Sequence, residues 1–395
     1  MNTTAIGTPT GVRIAERAVA KTSTVPWLSW AGLIASAGIA TGVYWDISWH
    51  ETIGRDSFWT PAHLLIQFGA VIAGLASSYV IFKTTFGRDS AAKQISVNVL
   101  GFRGPLGAFI LAWGGAAMLT SAPFDDWWHQ AYGLDVKIIS PPHMLLALGI
   151  FGINWGSVFL TVALLNRAGG TERKRLEYLL MATGGFIIVQ LMTLKLEWTS
   201  RTLQHSAISY LVTVIGLLFM VEALARVTGH RWARTIMTGV YTAFCLLMLW
   251  ILPLFPAQPK LGPVYQKIDH MVPLPFPVMI MAGAFAVDLL WPRIKNASIW
   301  KQSVVGGVAF LAALIAVQWP LATLIMSPAG DNWFFHHNNY PYFAQSNWPD
   351  VQHIFLKNEA TITAFWVMMG MAFVASVINV WLGLIFGNWL AKVRR

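Results

Sequence analysis

Charged side chains are scarce in this sequence: they make up 11% of 395 residues, against roughly 25% in a typical soluble domain. A chain so poor in charge cannot cover a single core with a polar surface, which excludes an ordinary soluble fold. Cysteine is scarcer still. The single one, Cys245, lies inside an apolar run, so neither a disulfide framework nor a cysteine-rich metal site is available. No polar stretch is long enough to make a soluble domain. In their place the sequence has 56% hydrophobic residues, with 20 Trp and 23 Phe. The lipid bilayer is the solvent that suits this composition.

Apolar runs of about 20 residues, the length that crosses a bilayer as a helix, fall near 27–49, 61–82, 105–124, 142–166, 178–195, 207–225, 235–255, 272–291, 303–326 and 361–388. The expected fold is an all-α integral membrane protein, a polytopic bundle of about ten transmembrane helices. The net charge of +10 does not mark a nucleic-acid surface, because the basic residues sit in short spacers between apolar runs. Of the 27 Lys and Arg, 20 fall in the termini and the spacers after even-numbered runs, including Arg88, Lys93, Arg103, Arg173, Lys174, Arg231 and Lys295. That bias puts both termini in the cytoplasm, with residues 1–26 as a cytoplasmic tail. The first run is long and has no small-residue cleavage signal, so it reads as a retained span of a plasma-membrane protein.

Histidine has the opposite distribution. Nine of the ten lie on the expected outer side, and only His230 is inside. In the first outer connection Asp46 and His50 are four residues apart, on one face of a helix, and His63 opens the following run. The second outer connection repeats this with Asp125, His129 and His143, although Asp126, three residues before His129, also reaches that face. Imidazole suits copper, zinc and iron, and two His plus one carboxylate leave coordination positions open. An Asp at the membrane boundary is costly unless paired or metal-bound. The recurrence of the triplet points to metal rather than to interfacial polar residues, with Glu51, Asp56 and Asp135 as supporting or loop residues.

At these residues the chain resembles the C subunit of the copper-dependent membrane monooxygenases, the particulate methane and ammonia monooxygenases. That subunit has an Asp-x3-His-x12-His unit, matched by Asp46, His50 and His63, and an Asn-x3-His-x13-His unit, matched in spacing by Asp125, His129 and His143. The stretch Arg55 to His63 also resembles the family's Arg-Asp…Thr-Pro-x-His segment. The resemblance covers 27–226 as a six-helix metal-binding region and leaves 227–395, four further helices with an outer cap at 327–360, unmatched. It implies two neighbouring copper sites and O2-dependent oxidation of a small apolar substrate arriving through the membrane, in a complex with other subunits. The ligand set also suits iron or zinc. The second unit begins with Asp where the family has Asn.

Other outer residues have simpler readings. Glu197 and Arg201 have the spacing of a helical salt bridge; Asp269 and His270 are adjacent and read as loop residues. His336, His337, Asp350 and His353 read as polar contacts within the cap, with Asp350 and His353 as half of a further site as the alternative. Trp45, Trp49, Trp59, Trp127, Trp128 and Trp198 flank the candidate ligands as an interfacial belt. Glu222 and Asp288 lie near cytoplasmic Arg residues, which favours pairing over a proton path. A metal transporter and a structural subunit stay open as alternatives, although a transporter would carry its ligands nearer the bilayer midplane. Reporter fusions test the topology: residues near 95, 170, 230 and 297 should report cytoplasmic, and residues near 55, 133, 200, 265 and 340 external. One inverted pair of connections would break the proposed count.

Overall fold

A computed structural model describes residues 26–54, 59–133 and 140–394. The N-terminal tail, Arg55, Asp56, Asp135 and Lys137 lie outside them. The described chain is helical: α1 (Pro26–Thr52), α2 (Pro61–Phe86), α3 (Ser90–Gln94), α4 (Leu106–Tyr132), α5 (Pro141–Leu165), α6 (Gly170–Thr193), α7 (Leu196–Thr199), α8 (Ala207–Val214), α9 (Leu217–Thr228), α10 (Ala233–Ile251), α11 (Ile280–Ile294), α12 (Ile299–Ile325) and α13 (Ile362–Leu390). The only sheet among these residues is a hairpin of β1 (Val97–Val99) and β2 (Phe102–Gly104), turned at Leu100 and Gly101, both with positive φ as a two-residue hairpin requires. Helices dominate because a bilayer has no water to satisfy backbone groups.

Among the described residues, eight helical stretches are long and apolar enough to cross a membrane. They are α2, α4, α5, α6, α8 with α9, α10 extended to Leu254, α12 and α13. The first and eighth expected spans are not among them. Helix α1 is 27 residues long, and α11 is 15. The apolar run ahead of α11 stays extended because Pro273, Pro275 and Pro277 remove alternate amide donors and hold their neighbours out of the helical region. Such backbone at membrane depth has to be covered by protein. Here Ser48 Oγ donates to Val272 O, the Val272 amide to Thr52 Oγ1, and the Met279 amide to Gln318 Oε1.

The sixth span also departs from a continuous helix. It breaks at Ile215 and Gly216, where glycine takes a φ of +73°. Lys195, buried at the end of α6, donates to the carbonyls of Thr213 and Ile215, and Asn379 accepts the Gly216 amide. These side chains satisfy the groups that the break releases.

Two apolar cores result. Helices α1, α2, α4 and α5 share one, built from Ile39, Ile66, Leu111, Met118 and Ile153 among others. Helix α6 and helices α8 to α13 share the larger one with parts of α1 and α5. In the first bundle α2 packs on α1 and α4, and α1 on α5. The α4–α5 contact is the closest: a Cβ on Gly114 would meet Ile153 N at 2.6 Å and Gly149 O at 2.8 Å. Small residues allow this approach, which is how membrane helices gain packing energy. The bundles are joined by a buried polar chain. Ser36 donates to Asn154, Asn154 to Gln190, and Gln190 back to Ser36 O.

At the opposite end from the triplets, Arg234 is 2% exposed and grips both Glu222 oxygens at 2.7 Å and Asp288 at 3.0 Å, with its guanidinium 3.8 Å above the Trp291 ring. Asp288 also accepts from the amide and hydroxyl of Thr235. The two acids are thus paired, as their proximity to cytoplasmic Arg suggested. Replacing Arg234 by Met would leave two buried carboxylates without a cation, a loss of about 3–5 kcal/mol. Thermal unfolding of the detergent-solubilised Arg234→Met protein should show a large drop in midpoint, and an unchanged midpoint would contradict the assigned pairing.

Candidate metal centres

Each triplet is built by a helix end, a connection and a capped helix start. In the first, Asp46 and His50 occupy the last two turns of α1, and His63 is the third residue of α2. Helix α2 begins with Thr60 as its cap, Pro61 in the first position and His63 donating its amide to Thr60 Oγ1 at 3.3 Å. The second repeats the device: Ser140 caps α5, Pro141 follows, and the His143 amide donates to Ser140 Oγ at 3.4 Å. A hydroxyl cap with proline in the first turn fixes where a helix starts. Side chains in helices lean toward the N-terminus, so a histidine at this position projects back over the cap toward the preceding helix end.

The geometry follows. His63 Nε2 lies 3.1 Å from Asp46 Oδ1, and His50 Nε2 lies 3.8 Å from Asp46 Oδ2. His129 Nε2 and His143 Nε2 lie 3.3 and 3.5 Å from the same oxygen, Asp125 Oδ1. In each triplet one donor atom per residue can be chosen so that all three lie within 4.8 Å of one another. The candidate ligands Asp46, His50, His63, Asp125, His129 and His143 are therefore brought together as two groups of three.

The direction of these contacts says more than their length. Asp46 Oδ1 is buried and accepts no hydrogen bond, although His63 Nε2 is within 3.1 Å. Oxygen and nitrogen are close without being aligned along an N–H bond. In the second triplet His129 Nδ1 lies 3.2 Å from Gly133 O. A carbonyl only accepts, so Nδ1 is the donor in this contact and the ring turns Nε2 toward Asp125. A carboxylate oxygen faced by two imidazole nitrogens is a donor set that one cation can bridge. Residues present and donor chemistry thus fit an imidazole–carboxylate metal such as copper, zinc or iron.

Gly133 makes the second arrangement possible. Its φ of +91° suits glycine and not a residue with a side chain, and it closes α4 by donating its amide to His129 O while its carbonyl turns toward the ring. The first hairpin has Gly54 at φ +82° in the matching place, where a Cβ would meet Leu261 at 2.7 Å. The second triplet is the more enclosed: the side-chain exposure of His129 is 6%, against 43% for His50.

The choice between Asp125 and Asp126 is settled by direction. Asp126 is exposed and accepts from Gln130 Nε2 at 2.8 Å, while Asp125 faces the histidines. Trp59 and Trp127 are exposed, whereas Trp45 and Trp49 pack against Ile53, Leu252 and Met271.

One expectation on the same side fails. Arg201 does not pair with Glu197, which is exposed; it pairs with Asp350 at 3.1 Å and donates to His337 O at 2.9 Å. Ser200, with ψ near 151°, separates α7 from the 3-10 turn Arg201–Leu203, so the two residues do not share one helix. Asp269 and His270 are loop neighbours joined at 2.7 Å, as their adjacency implied.

The residues that sequence spacing does not associate are Asp331, His337 and His353 in the cap. One donor atom from each can be chosen so that these too lie within 4.8 Å of one another. Burial, helped by the Arg201 guanidinium and by His353, pushes the His337 imidazole down to about 3, so it is neutral at any ordinary pH.

The chain matches no protein-family model, no curated protein and no solved structure. What it does is therefore read from the groups themselves.

Asp125→Ala and Asp126→Ala separate the two neighbouring acids. Copper or zinc retained after dialysis should fall by about one ion per chain in the first and stay unchanged in the second. Equal loss in both would contradict the assigned direction of Asp125.

Proposed function

We propose that this chain is a membrane-embedded metal protein holding one ion with Asp46, His50 and His63 and another with Asp125, His129 and His143. The observation that carries this reading is the pair of imidazoles converging on one Asp125 oxygen, with the His129 proton committed to Gly133. Copper is the ion proposed, on the resemblance of both spacings to the monooxygenase C subunit; iron and zinc share the donor preference.

On the same resemblance, the proposed activity is O2-dependent oxidation of a small apolar substrate reaching the outer ends of α1, α2, α4 and α5 from the lipid, with other subunits completing the complex. Bound copper would supply the redox chemistry with oxygen. The chain's own residues do the rest. The Asp46 and Asp125 carboxylates lower the net charge of their centres, and the Gly133 carbonyl holds the His129 ring in the tautomer that keeps Nε2 available. The Thr60 and Ser140 caps fix the backbone of His63 and His143. Two protein imidazoles and one carboxylate leave coordination positions for small ligands.

Elemental analysis of the purified protein tests the metal reading. His50→Ala and His129→Ala should each remove about one ion per chain, since two remaining donors bind poorly. Asp46→Asn should weaken binding less than His50→Ala, because the amide keeps an oxygen donor. Wild-type metal content in the double variant would remove both centres from consideration. Membranes supplied with 18O2 and short-chain alkenes test the oxidation: label should enter a product in the wild type and not in His129→Ala. Metal without product in the wild type would leave a metal-binding membrane protein and end the oxygenase reading.

A further inference from the structure

The cap between α12 and α13 contains one short 3-10 turn, Pro328–Gly330, and is otherwise irregular among the described residues. Its shape is nevertheless fixed by many hydrogen bonds. The Tyr342 amide donates to Glu51 O at the end of α1, and the Leu356 amide to Thr202 O. The Tyr265 amide donates to Tyr342 O, and the His337 amide to Gly330 O. Within this frame His337 is completely buried. Its Nε2 lies 3.0 Å from His353 Nδ1, and the other nitrogen of His353 lies 3.7 Å from Asp331 Oδ2.

We infer that Asp331, His337 and His353 form a third metal site, in the cap, for a divalent transition-metal ion such as zinc or copper. Three observations support it. The donor set is the one found in each membrane hairpin, two imidazoles and one carboxylate, assembled here by irregular backbone instead of by helices. His337 Nδ1 is enclosed and has no hydrogen-bond partner, so the ring is not explained as a satisfied polar group of the cap. His353 has a φ of +56°, uncommon for a residue with a side chain, and such conformations persist where the surroundings impose them, most often at ligand sites.

Local charge is compatible with a cation. The nearby Arg201 is engaged by Asp350 Oδ2 and by the His337 carbonyl, which leaves the Asp331 carboxylate to the site. Asp331 is exposed, so the ion would be open to solvent on one side, and water can complete the coordination that three protein ligands begin. Such an ion ties the start of the cap at Asp331 and His337 to its later part at His353. It is independent of the two membrane centres, because none of its ligands belongs to α1, α2, α4 or α5.

The test uses the full chain in detergent, stripped with a chelator and titrated with Zn2+, with Co2+ as the optical probe. In a His50→Ala, His129→Ala background the protein should still bind about one ion, and Co2+ should give visible bands of a nitrogen- and oxygen-ligated centre. Adding His353→Ala to that background should abolish this binding. Adding Asp331→Asn, an exposed change that disturbs no packing, should weaken it by about tenfold or more and so decides the case if His353→Ala fails to fold. Zn2+ should also slow proteolysis between α12 and α13 in the background protein and not in the Asp331→Asn form. Absence of binding in the background protein, or unchanged binding in both cap variants, would overturn the third site whatever the fate of the other two.

Discussion

The hydrogen bonds from the His63 amide to Thr60 and from the His143 amide to Ser140 set the geometry of the candidate centres. Each cap decides the residue at which a helix begins, and so the depth and direction at which its histidine emerges. A start displaced by one residue would rotate that histidine by about 100° around the helix axis and carry it away from the carboxylate on the preceding helix. Proline in the first helical position reinforces the choice, since its fixed φ suits the first turn and its missing amide has no partner to lose there. The carboxylates and the other histidines need no comparable device. They lie within regular helix, where a spacing of four residues already places them on one face.

The rest of the molecule answers to the same scarcity of water. Two departures from regular helix are met by specific side chains: Lys195 and Asn379 at the break between α8 and α9, Thr52, Ser48 and Gln318 along the proline-rich stretch before α11. The buried cation at Arg234 has two carboxylates and an aromatic face, and its pairing joins α9, α10 and α11. These polar groups inside the bundle occur in matched sets, as a low-dielectric surround demands.

Much of this was legible in the sequence because it depended on local spacing. The apolar runs, the Asp46–His50 and Asp125–His129 pairs and the return of His63 and His143 all follow from helix periodicity over short distances. Where tertiary contact decided the outcome, spacing misled or was silent. Arg201 had Glu197 at the right interval, yet Ser200 broke the helix and Asp350, distant in sequence, took the guanidinium. In the cap, spacing offered Asp350 as the companion of His353, whereas Asp331 and His337, which share no periodicity with it, are brought beside it only by the folding of an irregular segment. Both Asp125 and Asp126 have a spacing that suits a helix; counting favoured Asp125 only because it repeats the Asp46–His50 interval, and the rotation of α4 in the bundle turns that residue toward the histidines.

The end of α1 is knit to segments made much later: Ile53 O accepts from the Lys260 amide, Thr52 Oγ1 from the Val272 amide, and Glu51 O from the Tyr342 amide. The α4–α5 hairpin, which like the first contains all three residues of its own triplet, makes no such backbone bond to later chain from its outer end among the described residues. During synthesis the second triplet can close as soon as that hairpin leaves the ribosome and enters the bilayer. The last turn of α1, which carries His50, must wait for chain about 290 residues further on, roughly 15–60 s at ~5–20 residues per second. The contacts around the two triplets would thus be completed in the reverse of their order along the chain, and a truncated product ending after α5 would retain the second triplet without the contacts that finish the end of α1.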